Sequence, residues 1–160
     1  MKTIICLSVR QPWAWLILNG HKDIENRSRP TPLRTTIAIH ASKTNPKKEY
    51  ESAQQLISDR DLGITLPPIE TLETGAIVGL VDIVDCVTES NSPWFVGEYG
   101  YVLANPRRGL PRSQKGQLGF FNVHYPHFGN CDRCKSPITI PGLDGYHCSQ
   151  CGPVRRQTWE

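Results

Sequence analysis

An α+β fold with a small C-terminal cysteine module is what this sequence predicts, on three observations. Two helical stretches separate β-rich segments near the N-terminus, several β segments then follow without a helix, and four cysteines near the end form two Cys-x-x-Cys pairs. The order β, α, β, α and then several β favours a compact domain with a small mixed or closed sheet over a doubly wound fold. A chain of 160 residues accommodates one such domain, residues 1–124, and an appendage at residues 129–160.

Thr3 to Ser8 reads as the first strand. Pro12 suits the first turn of a helix, where its missing N–H has no intrahelical partner to lose. Trp13, Leu16 and Ile17 fall on one face of that helix, and Gly20 is positioned as its C-terminal cap. Thr35 to Ala41 is β-branched and alternating, so a strand carrying His40 near its end is expected. Asn45-Pro46 opens a second helix, with Tyr50, Ala53, Leu56 and Ile57 as its apolar stripe. Leu66-Pro67-Pro68 breaks the pattern. Ala76 to Val87 reads as a long strand with a bulge near Gly79. Strands at Tyr99–Ala104 and Gln117–His124 follow, joined by a basic loop at 105–117 that carries Arg107, Arg108, Arg112 and Lys115.

Hydrophobic residues make up 38% of the chain, which fits a water-soluble globular protein. No apolar run approaches the roughly 18–20 residues of a membrane-spanning helix, and Arg10 interrupts the N-terminal segment too early for a signal peptide. The expected compartment is the cytoplasm, where paired cysteines more often bind metal than form disulfides. Charge is unevenly spread. Residues 21–48 hold seven Lys or Arg against two acids, residues 49–98 one against ten, and residues 99–160 eight against three. Such segregation predicts a basic face for an anionic partner, with the acidic stretch turned elsewhere, unless long solvated side chains merely cluster in sequence.

Cys131 and Cys134 are followed after thirteen residues by Cys148 and Cys151. Each pair forms a knuckle that aims two sulfurs at one point, and two knuckles complete a tetrahedron around Zn2+. A redox role explains one Cys-x-x-Cys but not two at this spacing. Four thiolates leave no open position, so the zinc is expected to be structural, holding a zinc ribbon with strands at 138–140 and 145–147. Cys6 and Cys86 fall in predicted strands and read as small core residues. Arg133, Lys135, Arg155 and Arg156 make the module basic, which suits phosphates, while zinc ribbons also dock proteins.

The densest polar chemistry lies between Leu7 and Lys43. Ser8, Arg10, Gln11 and Trp13 stand at a strand-to-helix junction, Lys22, Glu25 and Arg27 follow the helix, and the next strand delivers His40, Ser42 and Lys43. Cations beside an aromatic ring can hold a phosphate while a base stacks on the ring. A surface ion-pair network beside a buried Trp13 explains the same residue types.

The runs Leu7-Ser8-Val9-Arg10-Gln11-Pro12-Trp13-Ala14, Gly20-His21-Lys22-Asp23-Ile24-Glu25-Asn26-Arg27 and Ile39-His40-Ala41-Ser42 resemble an ASCH domain, of the PUA-like superfamily. Gly79, Trp94, Tyr99 to Leu103 and Asn105-Pro106 fit its second half, so the resemblance spans about residues 3–124 and leaves the cysteine module outside. It implies a PUA-like small β-barrel with flanking helices and a cleft lined by the Ser-x-Arg-Gln-Pro-Trp loop and the Gly-x-Lys-x-x-Glu-x-Arg segment. It also implies nucleic-acid binding, RNA in most members and DNA proposed for some. Lys22 and Arg27 would meet phosphate or a polar ligand, Trp13 would cap the pocket, and His40 would sit at its floor or rim. An Arg-Gly pair common before the His-bearing strand is replaced here by Arg34-Thr35.

One branch of the family resembles amidohydrolases acting on an acylated cytidine, with a Lys followed three residues later by a nucleophilic Thr. Here Lys22 is followed by Glu25, and a carboxylate is a poor substitute for that hydroxyl, although it can serve as a base for water. Three functions therefore compete. A nucleic-acid-binding module comes first, a hydrolase of modified nucleosides or RNA using Lys22, Glu25 and His40 second, and a protein-docking adaptor built on the ribbon third.

Overall fold

The computed structural model describes residues 2–125, 138–142, 145–148 and 152–154. Strand β1 (Lys2–Val9) leads into helix α1 (Trp13–Leu18) and the short strand β2 (Ile24–Arg27). Strand β3 (Thr36–Ala41), helix α2 (Lys47–Asp59), a 3-10 turn at Ile69–Thr71 and strand β4 (Ala76–Val87) follow. Strands β5 (Tyr99–Ser113) and β6 (Phe120–Tyr125) complete a sheet in the order β2-β5-β4-β3-β1-β6. β1 and β3 run parallel and every other neighbouring pair antiparallel, so the sheet is mixed.

The sheet is open, which corrects the expectation of a closed barrel. β2 pairs only with β5 and β6 only with β1, so the two edges do not meet. A strand of four residues spans only about 13 Å and offers little edge to close upon.

Side-chain alternation sorts the core onto the two faces. Leu7, Val9, Ile37, Ile39 and Ala41 pack on one face with Ala14, Ile17 and Leu18 of α1, and Cys6, Ala38, Leu80, Phe121 and Val123 pack on the other. α2 joins through Ala53 and Ile57, which meet Leu16, Ile24 and Trp94. Burying Leu16 and Ile17 alone contributes roughly 1.5–3 kcal/mol each. Cys6 is fully buried, and that burial pushes its thiol pKa up to about 12, as an inert core residue requires.

The end of α1 is made by the glycine expected there. Gly20 has φ +78°. Its N–H donates to the Ile17 carbonyl, and the His21 N–H reaches back to Leu16. This is a Schellman closure, and only a residue tolerant of left-handed backbone makes it at little cost. At Gly79 the reason for glycine is different. The β4 register shifts here against both neighbours, and a Cβ would stand 2.4 Å from the Arg107 carbonyl oxygen.

The basic segment expected as a loop at 105–117 is largely strand. β5 continues to Ser113, pairing Arg107 with Leu80 and Arg112 with Ile77. Its turn signals are absorbed by irregular register. Asn105 takes φ +52° between the Ala104 and Arg107 pairings, and Gly109, Leu110 and Pro111 fall between those of Arg108 and Arg112. β2 pairs only with Tyr99 to Val102, so the outer edge beyond that point has no ladder for a proline to break.

Strands β7 (Ile138–Gly142), β8 (Gly145–Cys148) and β9 (Gly152–Val154) form a separate antiparallel sheet, including the strands expected at 138–140 and 145–147. Of the expected zinc ligands, Cys131, Cys134 and Cys151 lie outside the described residues, whereas Cys148 ends β8 and pairs in register with Gly152. Among the described residues no group of three or more metal-binding side chains converges.

Candidate functional site

Ser8 and His40 are register partners on the parallel strands β1 and β3, so their side chains emerge side by side on one face. His40 is buried, 2% exposed, with Nε2 2.7 Å from the Gln114 carbonyl oxygen. A carbonyl only accepts, so Nε2 carries the proton. In the neutral ring Nδ1 then holds a free lone pair, and Ser8 Oγ, 3.0 Å away, donates to it. Phe121 stands edge-on to the imidazole at 6.1 Å.

Gly116 closes one side of this pair. A Cβ there would lie 2.6 Å from His40 Cε1 and 3.1 Å from Ser8 Oγ. Gln114 and Gly116, in the connection between β5 and β6, therefore pack directly on the two side chains.

The Schellman turn of α1 sends the chain back beneath Trp13, and Lys22 is buried there. Its ammonium donates to the Ile24 carbonyl and, at 3.1 Å, to Glu25 Oε2, and lies 5.9 Å from the centre of the Trp13 ring. Glu25 Oε1 accepts from Arg27 Nε at 3.1 Å, and the Arg27 guanidinium also donates to the Ser8 carbonyl at 2.8 Å. Two cations thus flank one buried carboxylate, which keeps the cluster hydrogen-bonded where an unpaired charge would be costly.

Trp13 donates Nε1–H to Glu49 Oε2 at 2.7 Å, and Arg10 pairs with the other oxygen at 3.1 Å. The Trp13 hydrogen bond lowers the Glu49 pKa, partial burial opposes it, and the Arg10 contact adds to the lowering. Glu49 opens α2, so the acidic stretch is not all turned away as expected. Asp82 with Arg107 and Asp85 with Arg34 likewise pair acids from that stretch with neighbouring cations.

These elements surround a cleft of about 1100 Å³. Ser8, Arg10, Trp13, Glu25, Arg27, His40, Ser42 and Lys43 line it. Lys22 faces an adjoining pocket of about 230 Å³ with Trp13, Glu25, Asn26 and Trp94. Trp13 meets Trp94 edge-on at 6.4 Å, so it forms the wall between the two spaces. Gln11 is elsewhere. Its amide accepts from the Trp15 N–H and donates to the Glu73 carbonyl, which fixes the start of α1.

The sequence reading missed Asn26, Ser28, Thr44, Gly75 and most of residues 113–119 as lining residues. Gly116 next to Lys115 was the available signal, since a glycine beside a cation can mark a close backbone approach. Lys115 does line the cleft, whereas Arg107, Arg108 and Arg112 of the same basic segment do not.

The sequence profile of the ASCH domain matches residues 7–104. The chain belongs to the ASCH domain family. That span includes Ser8, Trp13, Lys22, Glu25, Arg27 and His40, but stops short of the 114–119 segment that completes the cleft of this ASCH domain. Activating signal cointegrator 1 of Homo sapiens is 36% identical over 88 residues, and that of Mus musculus 33%. The match covers 52% of this chain and only 14% of either relative. Among solved structures, the ASCH protein of Zymomonas mobilis aligns with a TM-score of 0.45 at 14% identity, covering 75% of this chain and 87% of that one. A single-site variant of that protein aligns with a TM-score of 0.46 at 15% identity, covering 75% and 89%.

Proposed function

We propose that the ASCH domain binds nucleic acid, RNA in preference to DNA, in the cleft beside Trp13. The observation that carries this reading is the meeting of Arg10, Arg27, Lys43 and Lys115 in one open cleft with an indole wall. Cations that follow a backbone, combined with a ring for base stacking, are what single-stranded nucleic acid requires. Lys43 and Lys115 are the phosphate contacts, Arg10 joins them when it leaves Glu49, and Trp13 receives a base. Ser42 and Ser8 supply hydroxyls to the sugar-phosphate chain. Lys22, Glu25 and His40 act from behind, holding Trp13, Arg27 and the 114–119 segment in place. Membership of the family and the relatedness to activating signal cointegrator 1 agree with this role. Among the described residues no helix is long and apolar enough to cross a membrane.

A structural Zn2+ held by Cys131, Cys134, Cys148 and Cys151 belongs to the same proposal. Cys148 ends β8 in register with Gly152 of β9, and the two Cys-x-x-Cys spacings are those of zinc knuckles. The metal would fold the ribbon and take no part in chemistry.

The test is binding of the zinc-loaded protein to short single- and double-stranded RNA and DNA across a salt series. Three phosphate contacts give a log–log slope of about −2 on a single strand. Failure to bind any of the four at low salt would overturn the reading, and a protein partner captured by residues 129–160 would replace it.

A further inference from the structure

We propose that Ser8 is an acyl-accepting nucleophile with His40 as its general base, and that the cleft hydrolyses carboxylic esters whose alcohol portion is anionic. Of the residues that sequence reasoning offered for hydrolysis, Lys22 and Glu25 are committed to one another in a buried ion pair. Only His40 presents a free lone pair, and the group it meets is a hydroxyl.

The geometry has the three parts that an activated serine needs. Ser8 Oγ is within 3.0 Å of the accepting Nδ1, and the ring is held in that tautomer by the Gln114 carbonyl at 2.7 Å on Nε2. The pair borders an open cleft, with the Gly116 backbone closing its other side. Arg27, tied to the carbonyl of Ser8 itself, brings a positive charge to the same wall. A carbonyl behind the histidine orients it but does not stabilise an imidazolium as a carboxylate does. That points to esters, with their better leaving groups, rather than amides.

In the acylation step Ser8 Oγ bonds to the ester carbonyl carbon and its proton passes to His40 Nδ1. The C–O bond to the alcohol then breaks, and the alcohol leaves with the proton from His40. Solvent water, deprotonated by the same nitrogen, attacks the acyl-serine ester, releases the carboxylic acid and restores Ser8. Lys43 and Lys115 line the same cleft, which favours an alcohol that carries negative charge.

The test uses the full chain with a fluorophosphonate probe, peptide mapping, and hydrolysis of phenyl acetate and of anionic 4-acetoxybenzenesulfonate. The expected result is stoichiometric labelling at Ser8 and faster turnover of the sulfonate ester at low salt. Ser8→Ala and His40→Gln should each lower kcat/KM by about 100-fold or more. A folded wild-type protein that stays unlabelled, or is labelled elsewhere, overturns the assignment without any variant needing to fold. Equal turnover of the two esters overturns the anionic alcohol. Neither probe is a nucleic acid, so the outcome is independent of whether the cleft binds RNA.

Discussion

Arg27 on β2 donates a 2.8 Å hydrogen bond to the backbone carbonyl of Ser8 on β1, joining two strands that share no ladder. The β1–β6 pairing ends at Leu7, so the Ser8 carbonyl is free of that ladder and a side chain takes it. The same guanidinium holds Glu25, and Glu25 holds Lys22. One arginine therefore couples the open mouth of the sheet to the buried ion cluster. Arg27→Ala should lower stability by about 1.5–3 kcal/mol in urea unfolding, the usual worth of hydrogen bonds to a charged group. Arg27→Lys should restore little of it, because an ammonium lacks the planar fork that reaches both partners. Full recovery with lysine would show that charge alone matters at this position.

Lys22 and Lys43 should behave oppositely. Lys22 is buried and paired, so Lys22→Ala leaves Glu25 with Arg27 as its one cation and should cost about 1.5–3 kcal/mol. The salt slope of nucleic-acid binding by the folded fraction should not change. Lys43→Ala and Lys115→Ala, at the cleft surface, should leave the melting temperature alone and each reduce that slope by about 0.7 on a single strand. A slope that falls for Lys22→Ala would return this residue to the phosphate contacts that the sequence suggested.

How far the sequence could be read follows from the range over which each feature is decided. Gly20 and the strand Ala76–Val87 were legible because a cap and a long apolar, β-branched run are local. β5 was misread beyond Ala104 because Pro106, Gly109 and Pro111 are turn residues almost everywhere except along an unpaired, irregular edge. The cleft residues were legible as a group, since Ser8 to Trp13, Lys22 to Arg27 and His40 to Lys43 all stand at strand ends. Their division of labour was not. Whether Lys22 faces solvent depends on where the Schellman turn sends the chain, and the Ser8–His40 pairing depends on parallel register between strands 32 residues apart in sequence.

Glu49 has a folded-state pKa below its ordinary value of 4.5. Its ionised form therefore stabilises the fold above the unfolded pKa, and that contribution is lost as pH falls through the folded one. Glu49→Gln should flatten the acid limb of the stability curve below about pH 5. It should also free Arg10 and tighten nucleic-acid binding at neutral pH by a few fold, the effect of one modest surface ion pair. Weaker binding in Glu49→Gln would mean that Glu49 positions Trp13 more than it occupies Arg10.

Gly116→Ala tests the seating of the 114–119 segment. The added methyl would stand 2.6 Å from His40 Cε1, closer than carbon atoms approach, so either the segment or the imidazole must move. A cost of about 1–3 kcal/mol is expected, as for other overpacked sites. The His40 ring signals in an NMR spectrum should shift because the Gln114 contact is disturbed. Unchanged His40 signals would mean that the segment does not rest on the Ser8–His40 pair.

The cysteine module should be separable from the cleft by metal. If Cys131, Cys134, Cys148 and Cys151 hold one structural Zn2+, metal analysis of the purified chain gives one zinc per molecule. A chelator then releases it and abolishes hydrogen-exchange protection in β7 to β9. Four thiolates must deprotonate to bind, so retention should weaken as pH falls, each site proton competing with the metal. Cys131→Ser should reproduce the chelator's effect and leave the main unfolding transition of residues 1–124 in place. The reason lies in the two sheets, which have separate ladders, so loss of one removes no backbone hydrogen bond from the other. A single transition that collapses with the metal would mean that the ribbon is part of the ASCH core rather than an appendage to it.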